Sequence, residues 1–186
     1  MNIFINLTYI VWVLSEIILN RLARSGKSDK QGADKHTELY VWLSIIISIT
    51  IASFMLVYFP FPIFGTQQFQ LIGISVIIVG ILIRLLAIKQ LGRFFTVNVT
   101  IRENHQLMQS GFYKYLRHPS YTGALLSFLG LGLILNNWFS LAIVFLSILS
   151  TFIYRMNIEE KVLTEQFGKQ YLDYISKTKR LIPFIY

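Results

Sequence analysis

The sequence predicts an all-α integral membrane protein with five transmembrane helices. Three observations predict it. Hydrophobic residues make up 54% of the 186-residue chain and charged residues only 14%, against about 25% charged in an ordinary soluble domain. The apolar residues gather in five long runs. Those runs do not alternate with polar residues, as the strands of a membrane barrel would.

Each helix follows from its run. The first is expected over 3–20, where only Asn6, Thr8, Ser15 and Glu16 interrupt the stretch up to Leu19. It lacks a preceding basic stretch and a following small-residue cleavage site, so it reads as an anchor rather than a leader. The second, over 39–59, carries no charge after Glu38, and the third, over 69–91, stays apolar until Arg84 and Lys89. Both reach the ~20 residues that a spanning helix needs. The fourth and fifth, over 120–135 and 138–155, are shorter and split by Asn136-Asn137. They are expected to form a tight hairpin, with Gly123, Gly130 and Gly132 allowing close approach. Length alone predicts one domain, residues 1–186.

Charge gives the orientation. Basic residues number 17 and acidic residues 9, for a net charge of +8. Arg21, Arg24, Lys27, Lys30 and Lys35 follow the first helix. Arg93, Arg102, Lys114 and Arg117 follow the third. Arg155, Lys161, Lys169, Lys177, Lys179 and Arg180 fill the tail. Arg84 and Lys89 sit at the basic end of the third helix, and the two remaining connections carry no positive charge. All the cations therefore share one side, the cytoplasm by the positive-inside rule, with the N-terminus outside and the C-terminus inside. Topology and anionic headgroups account for the basic excess, which removes the case for nucleic acid. With no cysteine and three histidines, the composition argues against disulfides, thiol catalysis and a metal site.

Two cytoplasmic stretches are too specific for plain connectors. The loop over 92–121 contains His105-Gln-Leu-Met108, Gly111-Phe-Tyr113 and Arg117-His-Pro-Ser-Tyr121. Pro119 suits a first helical turn with His118 at the cap, where free amides could hold an anion. The plainer reading is a helix start with interfacial anchors. In the second stretch, 155–186, Arg155 and Glu159 are four apart and share a helix face. They form either an exposed ion pair of about 0.3–0.5 kcal/mol or a buried cation with a function. Leu163, Phe167, Tyr171 and Tyr174 recur at helical spacing, a stripe for packing or for the headgroups. Glu16 and Arg84 read most simply as snorkelling charges, with pairing or a place bordering the acceptor path as the alternatives. His36 reads as a solvated loop residue.

Together, His105-x-Leu-Met, Gly111-Phe-Tyr, Arg117-His-Pro-Ser-Tyr-x-Gly123, Arg155-x3-Glu159-Glu160, Phe167-Gly168-x2-Tyr171-x2-Tyr174 and Arg180-Leu-Ile-Pro183 resemble the isoprenylcysteine carboxyl methyltransferase family. That family belongs with the membrane methyltransferases that include phospholipid methyltransferases. The resemblance runs from about Arg93 to the C-terminus; the first two helices match in hydropathy only. The helix count resembles the compact prokaryotic members, which implies a prokaryotic cell membrane.

The resemblance implies S-adenosylmethionine as methyl donor, held on the cytoplasmic side by the loop after the third helix and the C-terminal segment. It implies cofactor contacts from Asn98, His105, Gln106, Leu107, Met108, Tyr113, His118, Pro119, Ser120, Tyr121 and Glu159, with Arg155 meeting the acceptor. Chemistry fits these roles. The sulfonium and ammonium attract the Glu159 carboxylate. Arg155 can orient a carboxylate by two parallel hydrogen bonds, and a carboxylate needs no general base. The implied acceptor is lipid-like or prenylated, drawn from the bilayer. A phospholipid amine, a lipidic hydroxyl and a non-enzymatic membrane role are the alternatives.

The charge distribution makes a direct prediction. A cysteine replacing Thr66 reacts with an impermeant thiol reagent added to intact cells, and one replacing Lys177 does not; the opposite labelling rejects the orientation.

Overall fold

The structure, a computed structural model, describes residues 3–22, 37–65, 69–183 and 185–186. Its regular elements are α1 (Ile3–Leu22), α2 (Thr37–Tyr58), α3 (Phe69–Leu91), α4 (Pro119–Leu135), α5 (Trp138–Phe167) and α6 (Lys169–Lys177), with short 3-10 turns at Gly92–Phe94 and Gly111–Lys114. Arg24, Lys27, Lys30, Lys35, His36 and Thr66 lie outside the described residues.

Three helical stretches are long and apolar enough to cross a membrane: Thr37–Tyr58, Gln70–Phe94 and Trp138–Phe167. The apolar stretches Asn6–Leu19 and Pro119–Leu135 are shorter. Outer faces carry exposed Ile46, Val57, Leu71 and Leu82, which suits lipid rather than water. The core gathers Ala52, Ile77, Phe128, Val144, Ile148, Phe152 and Met156 from α2 to α5.

Glycine sets the closest helix contact, although not where the sequence pointed. The set Gly123, Gly130 and Gly132 was expected to draw α4 onto α5, but two of the three face α3. A Cβ on Gly80 would lie 2.6 Å from the Gly123 carbonyl oxygen, and one on Gly130 would lie 2.6 Å from the Gly73 oxygen. Each pair sits seven residues along its own helix, so the backbones touch over two turns in antiparallel register. Gly132 alone faces α5, against Leu141. With lipid outside, small residues allow the close packing that holds helices together.

The asparagine pair does more than break a run. Asn136 ends α4 in the left-handed region, at φ 50°. Its side chain also donates to and accepts from the Phe64 backbone, both at 3.0 Å. Asn137 caps α5 by accepting from Ser140 N at 3.0 Å, and it donates to the Phe59 carbonyl at 2.9 Å. The turn thereby pins the end of α2 and the residues that follow it.

α5 is the longest element, at 30 residues. At 1.5 Å per residue it measures about 45 Å, and a hydrocarbon core is about 30 Å thick. Its last turns therefore project beyond the membrane. α6 was open to two readings, and its apolar stripe turns inward: Tyr171 and Tyr174 are buried.

The α3–α4 contact is testable. Gly80→Ala drives a methyl into the Gly123 carbonyl and the Ser127 side chain and is expected to cost about 1–3 kcal/mol. Gly65→Ala, with nothing within 4 Å, is expected to be neutral. Thermal unfolding in detergent compares the two.

Candidate active site

The long loop is folded back on the end of α3. Gly111 takes the left-handed conformation at φ +56°, which favours glycine. Beside it, Phe112 N donates to Gln90 Oε1 at 3.1 Å. The Tyr113 hydroxyl donates to the Ala87 carbonyl at 3.3 Å, and the Tyr174 hydroxyl of α6 donates to the Tyr113 carbonyl at 2.7 Å. Phe94 stacks on His105 with centroids 4.9 Å apart, and Phe167 meets the same imidazole edge-on.

The tail closes over this loop like an added strand. Arg117 N donates to the Lys179 carbonyl at 2.8 Å, Lys179 N to the Tyr115 carbonyl at 3.0 Å, and His118 N to the Arg180 carbonyl at 3.1 Å. One helix-start amide expected to hold an anion, that of His118, is thus already committed.

Beneath the clasp, Glu160 takes three partners. Its Oε1 accepts from Arg117 Nε at 2.8 Å and lies 3.2 Å from His118 Nε2; its Oε2 accepts from Arg180 at 2.6 Å. Glu160 is 7% exposed and lies in the projecting part of α5. Burial pushes its carboxyl up, but the bonds from His118, Arg117 and Arg180 outweigh burial and hold it down at about 2. Sequence reasoning gave Glu160 no role. The available signal was the Glu159-Glu160 doublet itself: consecutive helical positions point about 100° apart, so one carboxylate faces the site and the other faces away.

Glu159 faces the site. Its Oε2 accepts from the Tyr121 hydroxyl at 3.0 Å, and that hydroxyl accepts from Arg155 Nε at 2.8 Å. Arg155, 6% exposed, also donates to the Val97 carbonyl. Two bonds therefore fix the plane of its guanidinium, and Tyr121 links Arg155 to Glu159.

These groups line one cavity of about 250 Å³. Of the residues expected at a site, Asn98, His105, Leu107, Met108, Tyr113, His118, Ser120, Tyr121, Arg155 and Glu159 line it. Gln106 and Pro119 do not: Gln106 is exposed, and Pro119 is buried in the first turn of α4. Apolar side chains from α1, α2, α4 and α5 continue the wall toward the membrane, among them Trp12, Val41, Phe128 and Phe152. α2 was not expected to contribute, and α1 only through Glu16, as a border of the acceptor path.

Apart from Arg84 Nε, which is ion-paired with Glu16 at 2.8 Å, three buried polar atoms of described lining residues have no hydrogen-bond partner: Asn98 Oδ1, His105 Nδ1 and the Tyr171 hydroxyl. Such atoms cost about 1–3 kcal/mol each, so the wall is built for a polar ligand. Burial first, and Arg102 in addition, lower the His105 pKa against the pull of Glu159, which favours the neutral imidazole. Burial pushes the Tyr171 hydroxyl up, so it stays protonated.

Glu16 and Arg84, read from sequence as snorkelling charges, instead pair with each other. Their closest approach is 2.8 Å, and Arg84 also donates to the Ser120 carbonyl and hydroxyl at 3.2 and 3.3 Å. Both line the cavity, so pairing lets the two charges sit within the membrane half of the protein.

The chain is similar to known membrane methyltransferases. Residues 69–170 match the family described as phospholipid methyltransferase. Protein-S-isoprenylcysteine O-methyltransferase B of Arabidopsis thaliana is 34% identical over 148 residues, 77% of this chain and 73% of the relative. Protein-S-isoprenylcysteine O-methyltransferase of Saccharomyces cerevisiae is 33% identical over 123 residues, 65% of this chain and 52% of the relative. A solved structure of the eukaryotic intramembrane Ras methyltransferase, an isoprenylcysteine carboxyl methyltransferase, superposes with a TM-score of 0.65 at 30% identity. It covers 81% of this chain, which spans 54% of that one. These relatives are eukaryotic. With the family match over more than half its length, this chain belongs to the phospholipid and isoprenylcysteine family of membrane methyltransferases.

Proposed function

We propose that this protein transfers a methyl group from S-adenosylmethionine to the carboxylate of a prenylated or similarly lipid-linked acceptor at the membrane. The observation that carries the proposal is a single cavity with unpaired polar atoms at one end and an apolar wall at the other. A water-soluble donor and a lipid-borne acceptor need such a shared space. The family's relatives, named for isoprenylcysteine O-methylation, support the same chemistry.

The lining residues fit the cofactor. Asn98 Oδ1 accepts, the Tyr171 hydroxyl donates or accepts, and His105 Nδ1 serves as either according to tautomer. Glu159 offers a carboxylate toward cationic groups, and Leu107, Met108 and Tyr113 supply apolar surface for a purine. His118 and Ser120 complete this half, while Gln106 and Pro119 flank it in sequence without lining the cavity. The cofactor supplies an electrophilic methyl carbon on a sulfonium.

Arg155 holds the acceptor. A carboxylate is ionised at neutral pH, so no residue has to remove a proton, and orientation with exclusion of water becomes the protein's task. The fixed guanidinium plane suits a carboxylate. It opposes a cationic amine headgroup, which would also need a base, and this favours the carboxylate over the amine acceptor of phospholipid methylation. In the same proposal five helices cross the membrane, with the N-terminus outside and the site facing the cytoplasm. The domain is single, with 92–121 and 155–186 forming the cofactor half.

Two experiments test the assignment. Calorimetry in detergent is expected to show S-adenosylhomocysteine binding without acceptor; neither heat nor thermal stabilisation at millimolar ligand rejects it. Glu159→Gln is expected to weaken that binding roughly tenfold to a hundredfold, the loss of a charge-assisted bond of about 1.5–3 kcal/mol. Arg155→Ala is expected to leave cofactor binding intact and abolish transfer to a prenylcysteine carboxylate, with poor rescue by Arg155→Lys, which lacks the planar fork. Equal loss of cofactor affinity in both variants overturns the division of roles.

A further inference from the structure

Among the described residues, none of α1 before Trp12 and none of α4 after Phe128 lines the cavity. Moving along α4 away from the Tyr121 hydroxyl, the wall is Tyr121, then Ala124, then Phe128. Ala124 is small and buried, and leaves room one turn below the reacting end. Phe128 then meets Trp12 of α1 edge to face, with ring centroids 4.9 Å apart at 78°. Both rings are buried, 6% exposed for Trp12 and 5% for Phe128, and both line the cavity. The seven residues from Tyr121 to Phe128 correspond to about 10 Å of helical rise.

α1 is held so that Trp12 stays in this place. Trp12 is the one buried side chain among those described on α1, while its neighbours Val11, Val13 and Leu14 are exposed. Glu16 lies four residues on, so it shares Trp12's face. Its ion pair with Arg84 fixes the rotation of the helix, and the indole follows.

We infer that the Trp12–Phe128 pair is the floor of the acceptor channel and sets the length of apolar chain the enzyme accepts. This rests on the carboxylate-acceptor reading above. With the acceptor's carboxylate at Arg155, its chain extends past Ala124 and ends against the two rings. A chain too long for that depth has to bend or withdraw its carboxylate from Arg155.

The test is a chain-length profile. N-acetylcysteine carrying S-geranyl, S-farnesyl or S-geranylgeranyl chains is offered to the full-length protein, and kcat/KM is measured for each. Trp12→Ala and Phe128→Ala are expected to raise the geranylgeranyl-to-farnesyl ratio roughly tenfold, the scale on which apolar pockets discriminate chain length. Ala124→Leu, which shallows the channel, is expected to shift preference toward geranyl. S-adenosylhomocysteine affinity is measured alongside as the check on folding, and Trp12→Leu replaces Trp12→Ala if that affinity is lost. A merely structural role lowers all three rates together and leaves the ratios unchanged; unchanged ratios in variants that still bind S-adenosylhomocysteine overturn the inference. Failure of the unsubstituted protein to methylate any of the three rejects the acceptor reading, and the inference with it.

Discussion

The site depends on one buried carboxylate. Glu160 gathers Arg117 and His118 from the end of the long loop and Arg180 from the tail, and it stands on α5. Removing the shared carboxylate leaves the Arg117 guanidinium without its counter-charge away from water, a loss of about 3–5 kcal/mol. The clasp of backbone bonds between residues 115–118 and 179–180 lies over the same cluster. Loop, tail and helix are therefore one cooperative unit, and the residues of the cavity's polar end are carried by it. Acid stability follows with a definite sign. A carboxyl held near 2 contributes fully above its unfolded value of about 4.5, and the contribution fades as the pH falls toward 2.

The carboxylate doublet separates two tasks. Glu160 faces inward to cations that never leave it, whereas Glu159 faces the cavity and is partnered by a tyrosine hydroxyl. A structural carboxylate has its charge satisfied by the protein. On the proposed function, Glu159 is the carboxylate that keeps charge available to the cofactor. Placing the two side by side on a rigid helix fixes the position of the second by means of the first.

Much of this was legible in the sequence, and the limits have physical causes. Apolar runs located the helices because lipid leaves no other way to satisfy a backbone. The loop residues were recognisable because Gly111, Pro119 and the aromatics around them mark order. What failed was pairing across the chain. Glu16 and Arg84 stand far apart in sequence, so nothing local separates a snorkelling charge from a paired one. Gly123 and Gly130 announced a close contact without naming α3 as the partner, since small residues carry no label for what they face. Tyr171 read as packing because a buried ring and an unsatisfied hydroxyl look the same in a periodic pattern.

α5 contains no proline or glycine between Trp138 and Phe167, so it has no hinge of the kind that kinks a helix. Phe152 in the apolar wall, Arg155, Glu159 and Glu160 are thus mounted on one rod that is long and apolar enough to cross the lipid. The height of these cavity residues above the bilayer midplane is then set by that rod. On the proposed function, bilayer thickness bears on which acceptors reach the cavity. A thicker membrane sinks these residues relative to the surface and a thinner one raises them, with tilt absorbing part of the mismatch. On the proposed function, the enzyme meets its acceptors at the depth this rod sets, and the membrane that houses it decides which of them float at that level.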